Sequence, residues 1–536
     1  MRIFETDVLV VGSGGAGLRA AIEAKRSDAK VILASKTPIG HGNCTTYSGG
    51  GSAAAIEGLS EKEHFEITMK TGRSINNENL VKVLVKDAPK ELLGLRDFGV
   101  RLRTQRGSVN CEGKFPIVGL GYTKPLADTV WKMGIEVHEH TMILELIKED
   151  NRIAGAMGLD FHKGEFVAFD TKAIILATGG GGALYFRTDN PIHTTGDGYA
   201  LAFNLGLALQ DMEFVQFYPL GTAEPNLPIH IVLTNFADEG LILNSKGENI
   251  PKKYGITAKP IAVQARDLLS RAITMEVVNG LGVDEAVFLD ITKVAKERIE
   301  ASYQKEMLMR TLHALERPIR IAPVCHHFMG GVAINPKCET AIEGLYAAGE
   351  VTGGIHGANR MGGNALSDIF VFGAIAGKQA SQYTKCVEAI GIDQKTLKEK
   401  ATETAEMTSY GEKAKKRKRP NDLMKEIKLL MWRKVGILRS EEKLREALWQ
   451  IQEIKEEQVP TISAEKPREL LATLEIMNGL VVAEIVARSA LHREESRGAH
   501  YRLDYPEQND GKWLNNTIII KRGAKPEITS RPTIDN

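Results

Sequence analysis

The stretch GLYAAGEVTGGIHGANRMGGNALSD (Gly344–Asp368) organises this 536-residue chain, because it joins a strand end, a glycine-rich loop and a helix. The apolar pair Leu345 and Tyr346 is typical of the end of a buried strand. Seven of the 25 residues are glycines, which let a backbone approach a flat ligand closely. Glu350 and Arg360 lie among them. The stretch predicts a site that holds a cofactor on one side and an anion on the other; the alternative is a loop that only packs between strand and helix.

A second glycine-rich turn lies near the N-terminus. The apolar run TDVLVV (Thr6–Val11) predicts a buried parallel strand, and LRAAIEAKR (Leu18–Arg26) predicts a helix. Between them the segment GSGGAG (Gly12–Gly17) matches the G-x-G-x-x-G pattern, whose helix N-terminus faces a pyrophosphate. This context predicts dinucleotide binding.

The residues after this helix distinguish between the possible dinucleotides. Proteins that bind NAD usually have an acidic residue at the end of the second strand, which forms hydrogen bonds with the ribose hydroxyls. Here KVILASK (Lys30–Lys36) ends in serine and lysine instead. The next glycine-rich element, CTTYSGGGSAAA (Cys44–Ala55), is suited to pass beneath a flavin ring. The sequence therefore favours FAD over NAD.

Composition limits the other possibilities. With 43% apolar residues and a net charge of +1, the chain has the composition of a globular protein. It lacks the excess of positive charge that is expected of a protein that binds nucleic acid. The five cysteines are scattered without metal-ligand spacing, so we expect no zinc site or iron–sulfur cluster within the chain. No apolar run reaches ~18 residues, and the N-terminus leads directly into a strand, so we expect no membrane span, no signal peptide and a cytoplasmic protein.

Further motifs continue the α/β pattern. AIILATGGGG (Ala173–Gly182) predicts a buried strand that runs into glycines. The motif TGDG (Thr195–Gly198), which contains Asp197, lies in a loop before a predicted helix. The glycine-rich texture stops after Pro219, resumes at Pro323 and gives way to a charged, helical sequence from Lys385. The basic run KAKKRKRP within that sequence, residues 413–420, is expected to be a solvated helix end or loop.

Taken together, these motifs resemble the flavoprotein subunit of the fumarate reductase and succinate dehydrogenase family, which includes L-aspartate oxidase. The resemblance extends over nearly the whole chain, and its motifs occur in the family's order: GSGGAG, ATGG, TGDG, DMEFVQFYP (Asp211–Pro219), RDLLSRA (Arg266–Ala272), CHHFMGG (Cys325–Gly331), GLYAAGE, HGANRMGGN and ESRGAHYRLDYP (Glu495–Pro506).

The resemblance implies an α/β fold with a Rossmann-like FAD-binding domain in two sequence pieces, an inserted α+β capping domain and a helical C-terminal region. We expect the FAD-binding domain at 1–219 and 323–384. The capping domain is expected at 220–322, the helical domain at 385–490 and a C-terminal segment at 491–536.

The resemblance also implies the cofactor site. A carboxylate such as that of Glu350 suits ribose hydroxyls. The expected FAD contacts are Gly12, Gly14, Gly15, Gly17, Ser35, Lys36, Thr45, Thr46, Gly50, Gly51, Asp197, Glu350, Ala365 and Leu366. Respiratory members attach FAD covalently through a histidine where this chain has Thr45, so we expect non-covalent FAD.

The same resemblance implies a carboxylate substrate whose C–C bond exchanges a hydride with the flavin. His326 and Arg360 would hold the carboxylate, and Arg266 would be the catalytic acid. An ion pair with an acid on its own helix is the structural alternative for Arg266. Thr234 and Tyr218 are further candidates for binding the substrate.

Two departures from the family pattern alter the far half of this pocket. Tyr218 replaces a substrate-binding histidine, while Asn235 and Asp238 occupy the region of a glutamate and an arginine that return the proton to Arg266. An amide cannot carry a proton between sites. We therefore expect a substrate that shares one carboxylate with succinate and differs in its second group, next to Tyr218 and Phe236.

The route of the electrons stays open at this point. The chain has no cluster cysteines of its own, so a separate iron–sulfur protein is expected to exchange electrons with it, and such a partner would bring it to the cytoplasmic face of a membrane. The alternatives are a stand-alone enzyme of the L-aspartate oxidase type, a member with a different carboxylate substrate, and a flavin-binding electron-transfer or assembly protein. No metal site is expected.

Overall fold

The computed structural model describes residues 1–114, 117–409, 417–464, 466–523 and 525–533. Residues 413–416, half of the basic run expected to be a solvated helix end or loop, lie outside the described residues. The strands are β1 Arg2–Val11, β2 Val31–Ala34, β3 Gly51–Ala53, β4 Leu102–Gln105, β5 Ser108–Cys111, β6 Glu136–His138, β7 Thr141–Glu149, β8 Arg152–Asp160, β9 Glu165–Leu176, β10 Leu209–Gln210, β11 Val215–Thr222, β12 Leu241–Leu243, β13 Val287–Asp290, β14 Ile319–Phe328, β15 Gly331–Val332, β16 Leu345–Ala347, β17 Asn515–Arg522 and β18 Lys525–Pro532.

The α-helices alternate with these strands in the first half and dominate residues 364–492. They are α1 Gly15–Arg26, α2 Cys44–Tyr47, α3 Glu61–Thr71, α4 Glu78–Gly94, α5 Leu120–Lys132, α6 Asp197–Asn204, α7 Phe236–Glu239, α8 Ile250–Lys253, α9 Ile261–Gln264, α10 Arg266–Val278, α11 Lys296–Glu300, α12 Asn364–Thr384, α13 Gln394–Ser409, α14 Pro420–Lys434, α15 Glu441–Glu453, α16 Pro467–His492 and α17 Asp510–Trp513.

The main sheet has seven strands in the order β6-β2-β1-β9-β8-β7, with β16 also paired to β9. The pairs β6–β2, β2–β1, β1–β9 and β9–β16 are parallel, whereas β8 pairs antiparallel with β9 and β7. The apolar run of β1 is buried on both faces, as expected for a parallel strand covered by helices. The ends of β1 and β16 therefore bring the two glycine-rich stretches to the same sheet.

Helix α12 packs closely on α1 and so joins the two sequence pieces of the sheet domain. A Cβ atom at Gly373 would lie 2.7 Å from the Ala16 carbonyl oxygen, and one at Gly377 would lie 2.3 Å from that of Ala20. Side chains at these two positions would force the helices apart. The glycines of α12 thus hold the end of the Gly344–Asp368 stretch against the first helix.

A second sheet, in the antiparallel order β11-β14-β13-β12, packs against α10 and has a separate apolar core. That core includes Tyr218, Leu269, Val287 and Ile321. It also contains Phe236, which has no exposed surface. The α/β architecture predicted from the sequence, with an inserted unit and a helical C-terminal region, is confirmed.

The C-terminal part returns to the sheet domain. Strand β17 pairs with β10 and β18, and α16 packs against α14 and α15. Among the described residues, α16 is the one helix long and apolar enough to cross a membrane, but 67% of its apolar window is buried inside the protein. A buried core helix has the same composition, so α16 is weak evidence for a membrane span.

Candidate active site

A cavity of about 960 Å³ extends from the N-terminal glycine turn to the second sheet. At one end it is lined by Gly12, Gly14 and the first residue of α1, and at the other by Arg266 and Arg360. The stretch Gly344–Asp368 contributes to both ends. The cavity therefore connects the predicted cofactor site with the predicted anion site.

The N-terminal turn has the shape that a phosphate group needs. Gly12 has φ +108°, and a Cβ atom there would lie 2.3 Å from the Ala177 carbonyl oxygen. A Cβ at Gly17 would lie 1.9 Å from the Gly12 carbonyl oxygen, so Gly17 allows close packing of helix on turn without lining the cavity. Helix α1 starts here without a side-chain cap from Gly14, and its N-terminal N–H groups and dipole favour an anion.

Thr45 is the residue that the resemblance aligns with a histidine carrying covalent FAD. Its hydroxyl oxygen accepts a hydrogen bond of 3.1 Å from the Gly15 N–H group at the start of α1. Its neighbour Thr46 points away from the cavity, because its hydroxyl donates to the Gly40 carbonyl at 2.8 Å. Thr46 was predicted as a cofactor contact, but its side chain belongs to the packing beneath the site.

Lys36 is the centre of a buried charge cluster at the cofactor end of the cavity. Its Nζ lies 2.5 Å from Asp197 Oδ2 and 2.8 Å from Glu475 Oε1. His193 Nδ1 lies 2.9 Å from the same Glu475 oxygen. The two carboxylates outweigh the burial of Lys36 and raise its pKa above the usual range. Since Glu475 belongs to α16, the helical region takes part in shaping this end of the cavity.

Glu350 lies in the middle of the cavity wall. Its Oε1 accepts a hydrogen bond of 3.0 Å from the Phe328 N–H and lies 3.5 Å from His327 Nδ1. A Cβ at Gly180 would be 2.2 Å from this carboxylate oxygen, so only a glycine leaves it room. Burial raises the pKa of Glu350 to about 7.

Arg266 and Arg360 provide the positive charge at the other end. Arg266 Nη1 donates to Gln216 Oε1 at 2.9 Å, and its Nε donates to the Ala262 carbonyl at 3.2 Å. Arg360 Nη1 donates to the Met361 carbonyl at 3.3 Å. Burial and the neighbouring Arg266 lower the pKa of Arg360 to about 9, as expected for two desolvated cations that face one anion site.

His326 and Tyr218 complete this end of the cavity. Their rings lie 5.5 Å apart, and the Arg266 guanidinium carbon is 5.5 Å from the centre of the Tyr218 ring. The Tyr218 hydroxyl donates to the Val232 carbonyl at 2.6 Å. His326 Nδ1 lies 2.6 Å from Asp189 Oδ2. Tyr218 thus presents its ring, and His326 its second ring nitrogen, to the pocket.

The residues in the altered half of the pocket have structural partners. The Asn235 amide donates to Glu239 Oε1 at 3.1 Å, and both Asp238 carboxylate oxygens accept from the Ile261 N–H at 3.2 Å. Phe236, predicted to face the substrate, lies instead in the core of the second sheet because its apolar side chain is fully buried there. Within the described residues, no carboxylate lies within 4.0 Å of the Arg266 guanidinium, so the alternative of an ion pair for Arg266 is wrong.

The cavity brings together most of the residues predicted from the sequence. Gly17 and Thr46, expected at the cofactor, and Phe236, expected beside the substrate, do not line it. The residues that do are Gly12, Gly14, Gly15, Ser35, Lys36, Thr45, Gly50, Gly51, Asp197, Tyr218, Thr234, Arg266, His326, Glu350, Arg360, Ala365 and Leu366.

Sequence reasoning missed three residues with direct contacts to these side chains. They are Asp189, which pairs with His326; Gln216, which binds Arg266; and Glu475, which binds Lys36. Asp189 stands between a strand end and the TGDG motif, which was a usable signal of proximity. Glu475 lies in an apolar helix 439 residues away from Lys36, and nothing in the local pattern indicates its partner.

The cavity fits FAD by its own chemistry. A glycine cradle and a helix N-terminus suit the pyrophosphate, and the buried Thr178 Oγ1 has no hydrogen-bond partner among the described residues. At the other end the buried Arg360 Nε also has no such partner. Thr178 and Arg360 both line the cavity, but these two atoms are buried behind its surface, so the fit to FAD depends on the glycine cradle and the helix N-terminus.

Comparison with known proteins gives the same picture. Residues 7–366 match the model of the FAD binding domain, and residues 424–536 match that of the fumarate reductase flavoprotein C-terminus. The chain is 39% identical to an FAD-dependent oxidoreductase of Methanocaldococcus jannaschii, with 96% of each chain covered. It is 35% identical to one subunit of the fumarate reductase (CoM/CoB) of Methanothermobacter marburgensis, with 99% of each chain covered.

The structure is also similar to a solved enzyme. An E. coli quinol fumarate reductase FrdA chain superposes with a TM-score of 0.89 at 27% identity, covering 99% of this chain and 97% of the other. The similarity therefore extends over nearly the whole chain.

Proposed function

The chain belongs to the family of fumarate reductase and succinate dehydrogenase flavoproteins, and we propose that it oxidises or reduces the C–C bond next to a carboxylate. It is an FAD-dependent oxidoreductase, and the bound FAD supplies or accepts the hydride. The observation that carries the proposal is the single cavity with a glycine cradle at one end and Arg266, His326 and Arg360 at the other.

The pocket cations have separate tasks in this proposal. Arg360 and His326 bind one substrate carboxylate, and the low polarity around Arg360 strengthens that attraction. Arg266 holds a proton on its guanidinium opposite the cofactor side and delivers it to the substrate carbon. Its Nη2 lies beside Gly362 of the glycine-rich loop. A Cβ atom added at Gly362 would lie 3.6 Å from this nitrogen, and the glycine leaves that space open.

The second group of the substrate meets a less polar wall. Because the Tyr218 hydroxyl is bound to the Val232 carbonyl, the ring face is what this residue offers. Ile231, Leu233 and Val263 line the same region. These contacts support a substrate with one carboxylate in common with succinate and a neutral or apolar second group.

FAD is held non-covalently in this proposal. Thr45 replaces the attaching histidine, and its hydroxyl is engaged with the Gly15 N–H. The neighbouring Cys44 lines the cavity, but burial raises the pKa of its thiol well above the usual range, so it has little of the thiolate needed for nucleophilic attack.

A separate iron–sulfur protein is proposed to exchange electrons with the flavin and to provide any membrane contact at the cytoplasmic face. The names of the relatives support this, since several are called subunits. Within the described residues there is no group of metal-binding side chains that could hold a cluster. The second candidate is a stand-alone enzyme, because the chain is also 30% identical to an L-aspartate oxidase of Synechocystis.

The reaction is tested with the purified holoprotein after anaerobic photoreduction. Reduced flavin is mixed in a stopped-flow instrument with fumarate or with crotonate, which keeps one carboxylate and has a methyl group in place of the other. We expect the carboxylate with the apolar end to reoxidise the flavin faster. Turnover of fumarate at the rate of a true fumarate reductase would contradict the substrate assignment. If neither fumarate nor crotonate reoxidises the flavin, the proposed reaction class is contradicted.

The electron route needs a second measurement. Affinity purification of the native protein is expected to retain a protein with iron and acid-labile sulfide. Rapid reoxidation of substrate-reduced flavin by oxygen alone, without such a partner, would favour the stand-alone enzyme.

A further inference from the structure

A histidine–carboxylate pair lies at the substrate end of the cavity, and both of its members line it. His326 Nδ1 and Asp189 Oδ2 are 2.6 Å apart, which is a short, charge-assisted hydrogen bond. Asn190 Nδ2 donates to Asp189 Oδ1 at 2.9 Å and to the His326 carbonyl oxygen at 3.2 Å. The Asp189 N–H donates to the Cys325 carbonyl at 3.3 Å. Backbone and side-chain contacts thus fix the carboxylate against the ring before any ligand arrives.

This contact determines which ring nitrogen can reach a ligand. An Nδ1–H that donates to Asp189 leaves Nε2 as the second nitrogen of the ring. Nε2 makes no hydrogen bond to the part of the chain that the structure describes, and the His326 side chain, which lines the cavity, is 23% exposed. A carboxylate that accepts a hydrogen bond from one ring nitrogen, as Asp189 does here, orients the histidine and also favours its positively charged form.

The charges around His326 act in opposite directions. Burial lowers its pKa most, Asp189 raises it, and Arg360 and Arg266 lower it again. The other titratable groups that face the ring or lie beside it are Tyr218, His327 and, next to His327, Glu350. Without a ligand, burial first and the two arginines after it lower the pKa of His326 and so disfavour its imidazolium form.

A bound carboxylate changes this balance. Its negative charge lies between the arginines and compensates their repulsion of an imidazolium, while Asp189 continues to stabilise one. The pair can then hold a proton that the empty pocket cannot hold.

We propose that Asp189 is a positioning residue for His326, and that binding of the carboxylate substrate draws one proton onto His326 Nε2, where it faces the ligand. This proposal rests on the carboxylate pocket of the proposed function. It gives the pocket a proton that does not depend on Arg266, whose guanidinium has no carboxylate partner in the described part of the chain.

The test measures protons directly. Oxidised holoprotein is titrated calorimetrically with fumarate and with crotonate, which an oxidised flavin cannot reduce, in three buffers of different ionisation enthalpy. The dependence of the binding heat on the buffer gives the number of protons taken up. We expect about one proton per ligand near pH 7.5, and an affinity that falls as the pH rises.

Asp189→Asn keeps the shape of the side chain and removes its charge, so we expect uptake near zero and an affinity about tenfold lower. His326→Gln is expected to lose the uptake as well. If Asp189→Asn does not fold, Asp189→Ser carries the same expectation. His313→Asn is the matched control, because His313 pairs with Glu316 at the protein surface, outside the cavity, and its replacement should leave the uptake unchanged.

The outcomes separate the two proposals. Ligand binding without proton uptake, or an unchanged uptake in Asp189→Asn, would overturn the role of the pair and leave the carboxylate pocket standing. Failure of the wild-type protein to bind either ligand would overturn both.

Discussion

Gln216 accepts a hydrogen bond from Arg266, with 2.9 Å between Oε1 and Nη1. The amide nitrogen of the same side chain donates to Asn359 Oδ1 at 2.8 Å and to the Arg360 carbonyl oxygen at 3.1 Å. One buried glutamine therefore connects the helix that carries Arg266 with the loop that carries Arg360. The relative position of the two pocket cations depends on it.

Replacing Gln216 with leucine should impair catalysis more than cofactor binding. The change removes the three hydrogen bonds and leaves Arg266 free to shift, so we expect kcat/KM to fall roughly 10- to 100-fold. FAD content should stay the same, because Gln216 does not line the cavity. Steady-state kinetics checks this with whichever of fumarate and crotonate the wild-type protein turns over faster. Gln452→Leu, on the exposed face of α15, is the control. Wild-type kinetics in Gln216→Leu would show that Arg266 is positioned by other contacts.

Arg266→Gln tests the acid itself. A glutamine can donate hydrogen bonds but cannot release a proton, so turnover should fall by about 1,000-fold or more while a ligand still perturbs the flavin spectrum. Arg298→Gln is the control, because Arg298 pairs with Glu239 on the surface. Substrate-dependent flavin reduction that survives unchanged in Arg266→Gln would favour a flavin-binding protein without a substrate of its own.

The sequence was sufficient for the parts of the site that local backbone chemistry controls. The glycine turn after β1 and the loop that carries Glu350 and Arg360 follow from residue types at short range, since a missing Cβ is a local property. The family, inferred from the order of such motifs, and FAD, inferred from the end of the second strand and the next glycine-rich element, are confirmed by the matching family models.

Contacts between distant segments could not be predicted in this way. The sequence predicts Phe236 beside Tyr218 at the apolar end of the pocket, but the short helix α7 turns its ring into the apolar core. Asp238 was considered as a replacement for a relay residue, and it binds the Ile261 N–H instead. The direction in which a side chain points depends on tertiary packing, which a one-dimensional pattern does not contain.

Lys36→Met should destabilise the protein strongly. It leaves Asp197 and Glu475 facing each other without their shared cation, and breaking a buried pair costs about 3–5 kcal/mol. The pKa of Lys36 is raised, so its contribution is fully present below the usual lysine pKa and should not change between pH 6 and 9. Urea unfolding checks the loss, with the exposed Lys30→Met as the control. Equal midpoints for the two variants would contradict a stabilising role of the cluster.

Acid precipitation of the purified protein should release all of its flavin. Thr45 cannot form the bond that a histidine forms at this position, and its hydroxyl is bound to Gly15. The supernatant should contain FAD in a 1:1 ratio to protein, measured by absorbance and by chromatography. A fluorescent protein band that persists on a denaturing gel would demonstrate covalent attachment and would direct attention to Cys44, which lines the cavity.

The stability of the FAD-free protein should depend on the ionisation of Glu350. Burial raises its pKa from 4.5 to about 7, although the Phe328 N–H and then Arg360 act in the opposite direction. The fold therefore favours the neutral carboxyl, and the contribution of Glu350 to stability is fully present below pH 4.5 and is lost as the pH rises through 7.

A shift of this size corresponds to about 3 kcal/mol across that range. Glu350→Gln, which is always neutral, should gain about this much relative to the wild type between pH 5 and pH 8 in urea unfolding. Burial also raises the pKa of Asp211, to about 8, but this effect is common to both proteins and cancels in the difference. Parallel stability curves for the two proteins would mean that the Glu350 carboxylate is solvated or paired when FAD is absent.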